Sequence, residues 1–141
     1  MTHPVDRALH LWSHPVPSGD AALASFRTVY ADPLVVNGLP APLGELVGRA
    51  RMLQTALDGL AAEMLERFDS PGRSAFVFRL SGRHVGPLTT PLGEVAPTGQ
   101  QLTVLGMDIF TITDDRVTEV WAVADYLSLL MQTGAASLVG T

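Results

Sequence analysis

The chain contains no cysteine, which excludes a disulfide framework, a thiolate zinc site and a thiol nucleophile. Charge is scarce as well: Asp, Glu, Lys and Arg make up 16% of the residues. The nine Lys plus Arg form no basic run, and the net charge is −5. A nucleic-acid-binding surface, which needs clustered cations, is therefore not expected. No apolar run is long enough to cross a bilayer, and the region of Met1 lacks an apolar core of signal-peptide length. These absences point to a cytoplasmic protein with neither nucleic acid nor membrane as partner. His3, His10 and His14 have no ligand-like spacing with a carboxylate, so no metal is expected.

Apolar residues, by contrast, are abundant at 47% of the chain. A surface so thinly charged predicts either a cavity lined by apolar side chains or a buried oligomer interface. The 141 residues suit one domain spanning positions 1–141. There is no internal repeat and no low-complexity tract.

A helical pattern over about Val5–Trp12 is broken by His14-Pro15-Val16-Pro17-Ser18-Gly19. Asp20 is placed to cap a second short helix that buries Ala22, Leu23 and Phe26. Leu34-Val35-Val36 is a short strand entered through Asp32-Pro33, and Pro40 and Pro42 punctuate the next connection. From Leu43, apolar residues recur at intervals of three and four through Leu46, Val47, Ala50, Leu53 and Leu57 to Leu60, predicting an amphipathic helix that ends near Asp58-Gly59. Ala61–Phe68 reads as a strand, although its Ala and Glu content also suits a helical extension; strands follow at about Ser74–Val85, Gln101–Thr113 and Val117–Ala124, with a loop over Gly86–Gly99 between the first two of these. The last two strands read as an antiparallel hairpin turned at Asp114-Asp115. Helices first and long strands after them argue for an α+β fold rather than a parallel βαβ sheet.

The stretch Val117–Gly134 organises the chain. Val117, Glu119, Trp121, Val123 and Asp125 fall on one face of an extended strand. A helical apolar pattern over Tyr126–Met131 follows, and Gly134 ends it. Asp125 at the junction has two readings. Burial among apolar neighbours would raise its pKa and make it a proton-transfer group; alternatively it caps the helix that begins beside it. Asp108, mid-strand among apolar residues, is expected to be a paired or interface carboxylate.

Ser81-Gly82-Arg83-His84-Val85-Gly86, Pro97-Thr98-Gly99-Gln100, Gly106-Met107-Asp108-Ile109-Phe110, Val120-Trp121-Ala122-Val123-Ala124-Asp125 and Leu129-Leu130-Met131-Gln132-Thr133-Gly134 occur in that order. Together they resemble the SnoaL-like polyketide cyclases of the nuclear transport factor 2-like superfamily. The resemblance implies one SnoaL-like domain over 1–141, a cone-shaped α+β barrel of curved antiparallel sheet with N-terminal helices. It implies a homodimer through the outer sheet face and a cofactor-independent aldol-type ring closure on a hydrophobic, polyketide-like small molecule. Asp125 then matches the acid/base and His84 its pocket partner, with Trp121, Asn37, Arg79, Tyr30, Met107 and Phe110 around the substrate. Each has a simpler structural reading: a strand-end His84 is structural, Trp121 is core, and Arg79 pairs with Asp108 or Glu63.

Two other functions fit the same fold. Epoxide hydrolysis of the limonene-epoxide hydrolase type uses two aspartates flanking an arginine; Asp125 and Arg79 match, but Ser81 stands where the second aspartate belongs. A non-catalytic small-molecule-binding module is the other.

Overall fold

The computed structural model describes residues 2–139. In chain order the elements are α1 (Pro4–Ser13), α2 (Asp20–Arg27), β1 (Tyr30–Val36), β2 (Leu39–Ala41), α3 (Leu43–Ala56), β3 (Leu57–Ser70), β4 (Arg73–His84), β5 (Leu88–Thr90), β6 (Gly93–Val95), β7 (Gln101–Thr113), β8 (Arg116–Ala124) and α4 (Tyr126–Gln132). The strands other than β5 and β6 form one sheet in the order β2-β1-β8-β7-β4-β3. β3, β4, β7 and β8 pair antiparallel, as expected of long strands joined by short turns. β1, however, pairs parallel to β8, so the sheet is mixed at that side.

Two boundaries differ from the sequence expectation. The helical periodicity ends at Ala56, and Leu57-Asp58-Gly59-Leu60 already belongs to β3. Gly59 takes φ +66°, a left-handed conformation that a helix cannot continue through. Within the predicted 86–99 loop, β5 and β6 form a small separate hairpin.

The inner sheet face packs against the helices in two buried clusters. The larger joins Val5, Ala22, Phe26, Leu43 and Ala50 of α1, α2 and α3 to Tyr30, Phe76, Phe110, Val117 and Val120 of the sheet. The smaller joins Ala56, Leu57, Leu88 and Leu102 to Leu129 of α4, which folds back over the start of β7. The Gln132 side chain pins that return, accepting from Thr103 N–H at 3.0 Å and donating to its carbonyl at 2.9 Å.

The proline-broken segment 14–19 is strapped to α3 by one side chain. Gln54 Oε1 accepts from Val16 N–H (2.8 Å), and Nε2 donates to the carbonyls of Leu11 (3.3 Å), Trp12 (3.1 Å) and His14 (2.7 Å). Neither proline supplies an N–H, so the strap has few other ways to fix itself. Gln54→Ala should cost about 1–3 kcal/mol, the usual penalty for stranding part-buried polar groups. Hydrogen exchange at the Val16 amide should accelerate; unchanged protection there would show that the strap is held by packing instead.

Candidate active site

Which side chains enter the cone is decided at one irregular point of the β7–β8 ladder. Thr111 pairs with Glu119, but the next β7 residue, Ile112, pairs with Val117. β8 thus carries one extra residue, Thr118, and a bulge of this kind moves every later side chain to the opposite face. Val117 is buried against the helices, yet beyond the bulge the inward residues are Val120, Ala122 and Ala124. Trp121 and Val123 stand on the outer face, 48% and 71% exposed. The single face expected from Val117 to Asp125 does not exist.

The expected burial of Asp125 is absent for the same reason. It is exposed, and its Oδ1 accepts the Ser128 N–H at 3.0 Å, capping α4. Trp121 is not core: its Nε1 donates to Glu119 on the outer face at 3.1 Å. Met107 lies beside Val123 on that face. Arg79 is exposed as well and pairs with Glu63 at 3.2 Å, so it does not sit between two aspartates as epoxide hydrolysis would need. Asn37, in a left-handed conformation, is exposed and clips β1 to β8: its Oδ1 accepts the Ala122 N–H (2.8 Å) and its Nδ2 donates to the Ala122 carbonyl (3.2 Å). Of the residues expected around the substrate, Tyr30 and Phe110 face the interior.

His84 is fully buried at the far end of β4. Gly82 and Gly86 flank it because the end of α3 and the start of β3 pass too close for any side chain: a Cβ on Gly86 would lie 2.8 Å from the Thr55 carbonyl oxygen, and one on Gly82 2.8 Å from Leu57 Cβ. The His84 N–H donates to the Gln100 carbonyl (2.8 Å), and its carbonyl accepts from Gly99 N–H (2.8 Å). Nδ1 accepts the Thr98 N–H at 3.2 Å, so in the neutral ring the proton resides on Nε2. Nε2 is buried and has no hydrogen-bond partner among the described residues. His84 does not meet Asp125: Asp125 lies beside Leu105, whose β4 partner is Arg79, five residues before His84.

Asp108 is the carboxylate that the interior does hold. On β7 it follows Gly106 and precedes Phe110 on the inner face, with Phe76 of β4 on one side and Ala122 of β8 on the other. Burial pushes its carboxyl up to about 7, and no ion pair among the described residues offsets this. The expected partner, Arg79, projects from the opposite face. Tyr30 lies within electrostatic reach. Burial pushes its phenol up, the Trp12 hydrogen bond offsets part of that, and the Asp108 charge adds to it. Trp12 Nε1 donates to the Tyr30 oxygen at 2.9 Å, which leaves the phenol proton free to be donated.

The inner-face positions around Asp108 lie between the two sealed clusters. Met64, Phe78, Leu80, Val104, Ala122 and Ala124 are all half-buried there. The signal for this site was present in the sequence: Leu102, Val104, Gly106, Asp108 and Phe110 alternate, and one carboxylate sits on an otherwise apolar face. Two concavities outside the cone hold none of the expected residues. One, of about 730 Å³, lies between the strap and the start of β3; the other lies beside Glu45, Met52 and Thr89. Among the described residues, no three or more His, Asp or Glu side chains gather as a metal site.

The SnoaL-like polyketide cyclase model matches residues 20–133. The chain belongs to the SnoaL-like polyketide cyclase family. The cone has the nuclear transport factor 2/ketosteroid isomerase-like fold shared by several solved structures. TsrD from Streptomyces laurentii superposes with a TM-score of 0.76 at 18% identity, covering 94% of this chain and 93% of that one. IdmH from Streptomyces antibioticus gives 0.70 at 18% identity, over 94% and 99%. A Catenulispora acidiphila protein with a ketosteroid isomerase-like fold gives 0.67 at 13% identity, over 96% of each chain. At such identities the likeness shows the fold alone. No curated protein sequence matches this chain. Among the described residues no helix is long and apolar enough to cross a membrane.

Proposed function

We propose that this protein is a cofactor-independent acid/base enzyme that closes or isomerises a ring on a hydrophobic, polyketide-like small molecule, with Asp108 as its proton-transfer group. The observation that carries the reading is the place of Asp108 on the inner sheet face between Phe76 and Ala122, half-buried and without an ion-pair partner among the described residues, where burial pushes its carboxyl up to about 7. A carboxyl of that affinity can take a proton from carbon next to a carbonyl and return it within one turnover. The enolate formed in between needs a donor that stays protonated, and Tyr30 is such a group. Family membership supports the reaction class, as does the provisional polyketide-cyclase assignment carried by IdmH.

A second reading keeps proton transfer at Asp125 with His84 as donor. It is supported by the match of both residues to the family pattern and by the unpartnered Nε2 of His84. One experiment separates the two: Asp108→Asn and Asp125→Asn compared in the same turnover assay. Loss with Asp108→Asn alone supports the first reading and loss with Asp125→Asn alone the second; undiminished turnover in both would overturn both assignments, and a wild type that binds without turnover would mark a binding module.

The outer face of β7 and β8 supports a homodimer. Ile109 beside Trp121 and Met107 beside Val123 make an exposed apolar patch bordered by the Arg79–Glu63 pair. A self-associating surface there should bury more than roughly 1,000 Å². Val123→Asp, which sets a charge at the patch centre, should shift the mass seen by light scattering from dimer to monomer; a monomeric wild type at micromolar concentration would overturn the assignment.

A further inference from the structure

Gly106 is the one inner-face position of β7 between the two clusters without a side chain, and its vacancy is occupied from across the ladder. Phe78 of β4 is its cross-strand partner. The tip of the Phe78 ring stands where a Gly106 Cβ would be, with Cε1 and Cε2 each 2.8 Å from that point. No real Cβ tolerates such distances, so the ring lies down on β7 only because residue 106 is glycine. A ring of this size that could not lie down would have to rise from the sheet into the cone. There it would stand over the next inward residue, Asp108. The aromatic neighbours leave it little sideways choice: Phe76 is 5.9 Å away between ring centroids and itself packs edge-on against Phe110 at 4.9 Å. On the other side, Ala122 and Ala124 oppose Asp108 and Gly106 with minimal bulk.

We propose that Gly106 and Phe78 form the determinant that keeps the approach to Asp108 open, Gly106 acting as the niche into which the Phe78 ring is folded. In the frame of the function proposed above, on which this inference rests, the pair sets how large a ring system can reach the carboxylate. Gly106→Ala fills the niche and closes the approach; removing the ring as well reopens it.

The experiment reads access directly and needs no substrate. The wild-type chain is treated with a water-soluble carbodiimide and glycinamide near pH 6, where Asp108 is largely protonated, and labelling is followed by peptide mass mapping. The exposed Asp125 serves as internal reference. Asp108 should be labelled in the wild type, and its rate relative to Asp125 should fall by about tenfold or more in Gly106→Ala. The Phe78→Ala/Gly106→Ala double variant should recover the wild-type rate or exceed it. Undiminished labelling in Gly106→Ala, no recovery in the double variant, or a wild type in which Asp125 alone reacts would each overturn the inference. Should Gly106→Ala fail to fold, Phe78→Trp decides instead, because an indole overfills the niche and must slow labelling. Since the readout is access rather than turnover, the inference stands or falls separately from the assignment of Asp108 to catalysis, which is tested by Asp108→Asn.

Discussion

Asp108→Asn is expected to lower turnover by about 10²–10⁴ while leaving the fold intact, the range typical for losing a general acid/base. Asn keeps the shape of the side chain and removes its basicity. The pH dependence makes the attribution specific. If ionised Asp108 is the base, wild-type kcat/KM should rise as pH passes through about 7, the value to which burial lifts the group. Residual activity of Asp108→Asn should lack that step. Stability offers a check independent of substrate. The unfolded Asp titrates near 3.8 and the folded one at about 7, so the folded state binds the proton more tightly. The stabilising contribution is therefore fully present below about pH 4 and is lost as pH rises towards 7. Three units correspond to about 4 kcal/mol as an upper bound. Urea unfolding at pH 5 and pH 8 should show the wild type losing stability relative to Asp108→Asn across that interval. Parallel curves would mean that Asp108 is hydrated and free of the burial assigned to it.

Gly86→Ala should be the most disruptive single methyl in the chain's centre. The added Cβ would meet the Thr55 carbonyl oxygen at 2.8 Å and the Ala56 Cα at 3.3 Å. Both are backbone atoms, so no side-chain rotation relieves the contact. Moving residue 86 away also strains two hydrogen bonds, since Val85 and Gly86 both donate to the Ala56 carbonyl, at 2.8 and 3.1 Å. Overpacking of this kind costs about 1–3 kcal/mol, and the rigidity of the neighbours places Gly86→Ala at the upper end. The melting temperature should drop by about 10 °C for a chain of this size. Gly48→Ala is the matched control: it lies in α3 with nothing within 4 Å of a Cβ and should be neutral or slightly stabilising. Equal melting temperatures for the two would show that the end of α3 is free to yield at Thr55. Because Gly86 neighbours His84, the destabilised variant also reports whether the Thr98–Gln100 clasp depends on that close approach.

The sequence by itself determined the elements and their class. Apolar spacing of three and four wrote α3, and period-two alternation with Asp114-Asp115 wrote the β7–β8 hairpin. These signals are local, so they survive without knowledge of the fold. The family pattern in the C-terminal half was legible for the same reason, as order and spacing along one chain. What only the tertiary structure decided is which face each residue occupies and which charges stay unpaired. One extra residue at Thr118 sends Trp121, Val123 and Asp125 outward, because side-chain direction in a strand alternates and a bulge shifts the count by one. Whether a strand bulges depends on its partner's register. Burial of Asp108 is likewise a sum over β4, β8 and the helices that close the cone, and Arg79 could be ruled out as its partner only once the sheet had two distinct sides. Residue spacing carries periodicity, but desolvation is a property of everything that surrounds a group, and that is settled by packing.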